Sequence, residues 1–302
     1  MASSTKNKII KLIQKYTDHR YVMLTDSGNL AIYAAMYYLK QKGFDSIIIP
    51  DQGGWLTYKQ YPKKLKLDII EMRTDEGVVI LDYFDELCEL VKKEKRKVAL
   101  LITSLAGYHA EQPLRKISEI CKKHGILLIE DTNAIGDRIR KDRSDKINTK
   151  LCNGNYADII IGSFGRWKVV DNEHGGFISS NDKEVIDVIC SDNGSDEKLM
   201  EKIRPKDLDE EKLLGKLEQA HERLNYLIEM CSSIKNELAV MGVKVFNKDK
   251  RGIVVIAEHS KKVIDYCKKN RLEYTECPRY IRINKKAISI EVKRMSMDDF
   301  KF

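Results

Sequence analysis

Ala157-Asp-Ile-Ile-Ile-Gly-Ser163-Phe-Gly-Arg-Trp-Lys168-Val-Val-Asp-Asn-Glu-His-Gly175-Gly176 is the stretch on which the reading of this chain turns. An apolar run, Asp158 to Gly162, ends at a serine; a lysine follows five residues later in an irregular segment; a glycine pair then opens another strand, Gly175 to Ser180. Ser163 is thereby placed to hydrogen-bond a phosphate, and Lys168 is a candidate Schiff-base amine. Such an amine needs a low pKa and a fixed direction, and partial burial behind Trp167 would supply both. Taken alone the Ser-x4-Lys pair is weak, because most lysines near a strand end are solvated surface residues.

Two stretches upstream change its weight. Ile126-Leu-Leu-Ile-Glu130-Asp131-Thr132-Asn133-Ala134-Ile135-Gly136 delivers two acids to the carboxyl end of a buried strand, where open α/β sheets bind their ligands. A carboxylate there can pair with a protonated pyridine nitrogen and keep the ring electron-withdrawing; Asp131 or Asn133 would equally serve as a helix cap. Asp26-Ser27-Gly28-Asn29-Leu30-Ala31 joins a short strand to a helix, and free N–H groups at that helix start, beside the Ser27 hydroxyl, make a phosphate cradle. Ordinary capping by Ser27 explains the same residues. No GxGxxG and no GxxxxGK[ST] is present, which removes those two nucleotide-binding readings.

Outward from these motifs the pattern repeats. Tyr21 to Leu24, Ser46 to Pro50, Leu67 to Glu71, Val98 to Thr103, Ile126 to Glu130 and Asp158 to Gly162 are short apolar runs without strict alternation, as expected of strands buried on both faces. Helical stretches at 6 to 16, Leu30 to Lys40, Phe84 to Lys95 and Leu114 to His124 alternate with them, predicting a mostly parallel α/β sheet covered on both sides. From Asp207 to Met241 the chain turns charged and helical. Beyond it the pattern becomes strand, helix, strand, strand, and Val243 to Phe246, Ile253 to Glu258, Lys261 to Asn270, Tyr280 to Asn284 and Ala287 to Val292 fit a small α+β domain. The expected division is residues 1–204 for the large domain and 205–302 for the small one, with Arg204-Pro205-Lys206 at the boundary.

The 302 residues carry 54 Lys and Arg against 46 Asp and Glu, a net charge of +8 spread along the chain, so an acidic ligand is welcome and nucleic acid is not indicated. The seven cysteines are widely separated and lack a CxxC pair, so they predict no zinc site and a reduced, cytoplasmic setting. No apolar stretch reaches the length of a membrane span or of a signal-peptide core.

In this order, serine-glycine turn, Asp after a buried strand, then Ser-x4-Lys with Gly-Gly, the chain resembles the fold-type-I pyridoxal-phosphate enzymes, and among them the DegT/DnrJ/StrS sugar aminotransferases. Ser27-Gly28-Asn29 stands for that family's Ser-Gly-Thr turn, Glu130-Asp131 for its strand ending, and Ser163-Phe164 to Lys168 with Glu173-His174-Gly175-Gly176 for its lysine segment. Ala106-Gly107, Asp192-Asn193-Gly194 and the helix around Leu214 to Ala220 extend the likeness over roughly residues 20 to 230.

The resemblance implies an aspartate-aminotransferase-like large domain binding pyridoxal 5'-phosphate. It implies Lys168 as the Schiff-base lysine and proton shuttle and Asp131 as the partner of the pyridine nitrogen. Ser27, Gly28, Asn29 and Ser163 would hold the phosphate, and Trp55 would stack on the ring or else fill the core. Small-molecule amino donor and keto acceptor, the latter on a nucleotide-linked sugar, and a homodimer are implied as well. The chain departs from the family at Ala134, where a glutamine or histidine usually lies against the ring; Asn133 is the substitute. No Asn-Tyr-Arg-Met segment is recognisable around Arg204, and the C-terminal domain is short. Two alternatives stay open: another fold-type-I activity such as cysteine desulfuration or a lyase, with Cys277 as sulfur acceptor, and a noncatalytic regulator. Arg279 or Arg282 is a candidate for a substrate carboxylate, and His109 and His174 read as surface residues.

Overall fold

The computed structural model describes residues 4–141, 148–191 and 201–296; Asp192-Asn193-Gly194 lies outside them. Seven strands form the central sheet: β1 (Tyr21–Thr25), β2 (Ser46–Pro50), β3 (Asp68–Met72), β4 (Val98–Thr103), β5 (Leu127–Thr132), β6 (Ile159–Ser163) and β7 (Gly176–Ser180). Their order is β1-β7-β6-β5-β4-β2-β3; β7 runs antiparallel to both neighbours and every other pairing is parallel. The carboxyl ends of β1, β2, β4, β5 and β6 therefore meet at one edge, where the motif residues sit.

The non-alternating apolar runs have the expected cause. Ile47, Ile49, Leu101, Ile129, Ile159 and Ile161 pack on one face with helix α2 (Gly28–Gln41), whereas Ile48, Leu100, Leu128 and Ile160 pack on the other with α1 (Ser4–Thr17). Helices α3 (Thr57–Leu65), α4 (Leu81–Lys93), α5 (Leu114–His124) and α6 (Lys183–Cys190) complete the covering layers. In α5, Leu114, Ile117 and Cys121 recur at helical spacing and are buried, and Gly125, at φ 69°, ends the helix in the left-handed region that favours glycine.

Helices α7 (Glu210–Glu218) and α8 (Ala220–Val240) lead to a three-stranded antiparallel sheet, β8 (Val255–Glu258), β9 (Tyr274–Cys277) and β10 (Ala287–Ile290), in the order β8-β10-β9 with α9 (Lys261–Lys269) between β8 and β9. Val255, Ile256, Ala287 and Ile290 belong to the same apolar cluster as Ile48 and Leu100, so one core runs from the large sheet into the C-terminal part. Two expected strands are corrected. Residues 243–246 make only the isolated bridge Val245 to Ala257. Residues 280–284 form a turn closed by Arg279 N–H to Ile283 O and Arg282 N–H to Arg279 O, and the strand lies earlier, at β9. Among the described residues no helix is long and apolar enough to cross a membrane.

Candidate active site

At the sheet's carboxyl edge, Ser27 caps α2, its Oγ accepting the Leu30 N–H at 3.3 Å. Ser27 is bridged to Gly175, whose N–H donates to Asp26 O. The start of α2 comes so close to the end of β6 that a Cβ on Gly28 would lie 2.4 Å from Ser163 Cβ and 2.8 Å from its Oγ. Only glycine fits there, and the contact brings Ser27, Gly28 and Ser163 into one cradle beside the first N–H groups of the helix, which have no intrahelical partner. Asn29 turns its side chain away from such a role: Oδ1 accepts the Trp55 indole N–H at 2.8 Å.

Asp131 ends β5. Tyr58 of α3, completely buried, donates its hydroxyl to Asp131 Oδ2 at 2.7 Å. Burial pushes the Asp131 carboxyl up, and the Tyr58 hydrogen bond and the charge of Lys168 act against that rise. Burial likewise pushes the Tyr58 phenol well up. The neighbouring acid, Glu130, points to the other face, where Oε1 accepts the Cys152 N–H at 2.8 Å and the Ser104 hydroxyl, and Oε2 has no side-chain partner among the described residues; burial pushes this carboxyl up to about 7.

Lys168 Nζ lies 2.5 Å from the Tyr108 hydroxyl and 5.0 Å from the ring centroids of both Tyr108 and Trp55. Its shelter is therefore Trp55 and Tyr108. Trp167, expected to cover it, is 47% exposed with φ 61° and lies under the Arg294 guanidinium at 4.4 Å. Tyr108 is itself left-handed, at φ 68°, and its carbonyl accepts the N–H groups of Ile253 and Val254 at 2.8 and 3.1 Å.

The C-terminal part adds charge around the same tyrosine. Arg282 sits 5.0 Å from the Tyr108 ring, buried, with Nη2 on both Glu291 oxygens at 2.9 and 2.7 Å and Nε on Ser289. That commitment leaves it neither solvated nor available as a carboxylate fork. Burial works against the Glu291 carboxylate, and Arg282, with Lys293 and the Ser289 hydroxyl, more than offsets it, holding the group below its usual value. Lys293 Nζ lies 4.9 Å from the Tyr108 ring; burial, then the charges of Lys168 and Arg282, push it down to about 7.

The other expected residues are placed less centrally. The Asn133 amide is taken up by Leu105, accepting its N–H and donating to its carbonyl, both at 2.9 Å, and Ala134 is core. Cys277 is buried in β9 with its thiol pushed up by burial. His109 is completely buried, not a surface residue, and burial pushes it down to about 3; His174 is exposed. Tyr58, Tyr108 and Lys293 were not legible as site residues. The local signal was Tyr58, three positions after Trp55, where the turn leading into α3 lets the Tyr58 N–H donate to Trp55 O at 3.0 Å.

These residues fit pyridoxal phosphate: a glycine-dependent cradle at a helix start, a sheltered amine, and a carboxylate at the end of a buried strand. Comparison with known proteins agrees. The model of the DegT/DnrJ/EryC1/StrS aminotransferase family matches residues 4–196, and that of the MJ1341 family C-terminal domain matches residues 221–301. The fold is similar to a DegT DnrJ EryC1 StrS aminotransferase from Brucella abortus, with TM-score 0.70, 15% identity, and coverage of 99% of this chain and 88% of that one. It is also similar to ureidoglycine-glyoxylate aminotransferase from Bacillus subtilis (TM-score 0.67, 16% identity, 96% and 80% covered) and to alanine-glyoxylate aminotransferase from Nostoc sp. (0.70, 12%, 99% and 83%). No curated protein matches the sequence. With a family match over more than half its length, a fold-type-I architecture and residues that fit the cofactor, the chain belongs to the DegT/DnrJ/EryC1/StrS family of pyridoxal-phosphate-dependent aminotransferases.

Proposed function

We propose that the chain moves an amino group from an amino-acid donor to the keto group of a nucleotide-linked sugar, with Lys168 as the reacting amine. The observation that carries the assignment is the Lys168 Nζ contact with the Tyr108 hydroxyl beside Trp55, at the sheet edge that also holds Asp131 and the Gly28–Ser163 cradle. When bound, the cofactor supplies an electron-withdrawing ring that stabilises negative charge on the donor's α-carbon. Ser27, Ser163 and the N–H groups of Gly28 and Asn29 hold its phosphate. Asp131, fixed by Tyr58, holds a proton on the ring nitrogen, and Trp55, fixed by Asn29, covers a ring face. Lys168 Nζ carries protons to and from the donor carbon, and Tyr108 orients it. Asn133 supports the site indirectly by fixing the Leu105 backbone.

The division at about residue 205 and a homodimer belong to the same reading, because enzymes of this fold build their sites at a dimer interface. The first test is the visible spectrum with added pyridoxal phosphate, with borohydride reduction and peptide mapping, for wild type and Lys168→Ala. A band lost in the variant, with the pyridoxyl mass on the Lys168 peptide, is expected; a mass on another lysine overturns the assignment. Keto sugar nucleotides with glutamate or glutamine then test the acceptor. Alanine and bound sulfur released from cysteine would overturn the sugar reading.

A further inference from the structure

Beside Lys168, on the Trp167 side, a cleft of about 680 Å³ opens between the Arg166–Glu173 loop, helices α7 and α8, and residues 293–296. Lys168, Lys212, Lys216, Arg223, Lys293 and Arg294 line it, together with Arg166; among the described residues the carboxylates in the lining are Asp171 and Glu173. Those two do not neutralise it. Glu173 is shared between Lys212 at 2.9 Å and Arg166 at 3.8 Å, and Asp171 accepts the backbone N–H groups of Trp167 and Glu173. Arg294 has carboxylates outside the cleft, Glu273 at 2.6 Å and Glu291 at 3.9 Å. No ion pair between described residues engages Lys168, Lys216 or Lys293; the Lys293 ammonium has a carbonyl, Trp167 O, at 3.5 Å.

Lys293 is the informative member. It is only 7% exposed and packed with Lys168 and Arg282 around one tyrosine ring; Glu291 opposes their charge but is held by Arg282 at 2.7 Å, so a charged ammonium at this position gains from an anion that enters the cleft. We propose that this cleft binds a phosphate group carried by the acceptor substrate, with Lys293 as its innermost contact and Lys216 at its mouth. This rests on the reading of Lys168 as the reacting amine, since the anion would be held next to it. The cleft is distinct from the Ser27–Gly28–Ser163 cradle, and most of its cations come from the part of the chain after residue 205, outside the aminotransferase family match.

The test is calorimetric titration of inorganic pyrophosphate into the cofactor-loaded protein, for wild type, Lys293→Met and Lys216→Gln, with the visible cofactor band followed in the same samples. Binding by wild type is expected, weakened tenfold or more in Lys293→Met and several-fold in Lys216→Gln, where the exposed position keeps the fold out of question. Uridine diphosphate and glucose 1-phosphate, titrated in parallel, tell whether the group arrives as diphosphate or monoester; binding of either supports the site. Equal affinity for glutarate, or undiminished binding in both lysine variants, overturns it. A wild type with the band and no pyrophosphate binding sinks the anion site alone. A wild type without the band sinks the cofactor reading instead.

Discussion

At the scale of single residues, the site depends on polar groups held in place by neighbours that do no chemistry. Tyr58 gives Asp131 a hydrogen bond at 2.7 Å inside the protein. Tyr58→Phe keeps the ring and removes that bond, worth about 1.5–3 kcal/mol when the acceptor is charged. The expected result is a pyridoxal-phosphate affinity weakened by roughly tenfold or more, measured by titrating the visible band, with the fold retained by circular dichroism. Glu130 makes the opposite case. Its carboxyl is raised from 4.5 to about 7 by burial, so the stability it confers is complete below about pH 4.5 and is lost as pH rises through 7. Glu130→Gln cannot ionise, and its stability relative to wild type should grow between pH 5 and pH 8 by on the order of 3 kcal/mol. Urea unfolding at the two pH values reads this directly; parallel curves would refute it. Lys168, Ser163, Ser27, Gly28 and Asp131 could be named as candidates from sequence because each lies in a short contiguous motif, and the fold brings them to one sheet edge. Tyr58, Tyr108 and Lys293 could not, because tertiary contacts alone bring them to Lys168 and Asp131.

At the scale of elements, the close approach of α2 to β6 is the point of least tolerance. Gly28→Ala would put a methyl 2.4 Å from Ser163 Cβ, on a strand end rather than a flexible side chain. Either the helix start or Ser163 must shift, so a loss of about 1–3 kcal/mol of stability is expected, and with it loss of the cofactor band at micromolar pyridoxal phosphate. A variant that binds the cofactor normally would show that the cradle is not where it is held. The large sheet was legible because runs such as Ile47-Ile48-Ile49 must bury both faces whatever surrounds them. The small sheet was less so: β9, Tyr274-Thr-Glu-Cys277, mixes polar and apolar residues at an edge, while Tyr280 to Asn284 has strand-like residues in a hydrogen-bonded turn.

At the scale of the molecule, large and small parts meet in a cluster of like charge. Lys293 faces Lys168, Arg282 and Arg294, with Glu291 as the opposing charge. Its affinity for a proton falls from 10.5 to about 7, so its contribution to stability is present above about pH 10.5 and lost as pH falls through 7. Lys293→Met should accordingly be more stable than wild type at pH 7, with the difference shrinking toward pH 10; thermal unfolding across that range checks it, and a pH-independent difference would refute it. The Tyr108 loop bears on how such a chain can be inherited. Its carbonyl anchors residues 253 and 254, its ring receives Arg282 and Lys293, and a Cβ on Gly252 would strike His109 O at 2.4 Å. A recombination breakpoint near residue 205 would thus separate two halves of one joint. A chimera given a foreign C-terminal part should recover a working lysine only when residues 104–112 travel with the transplant.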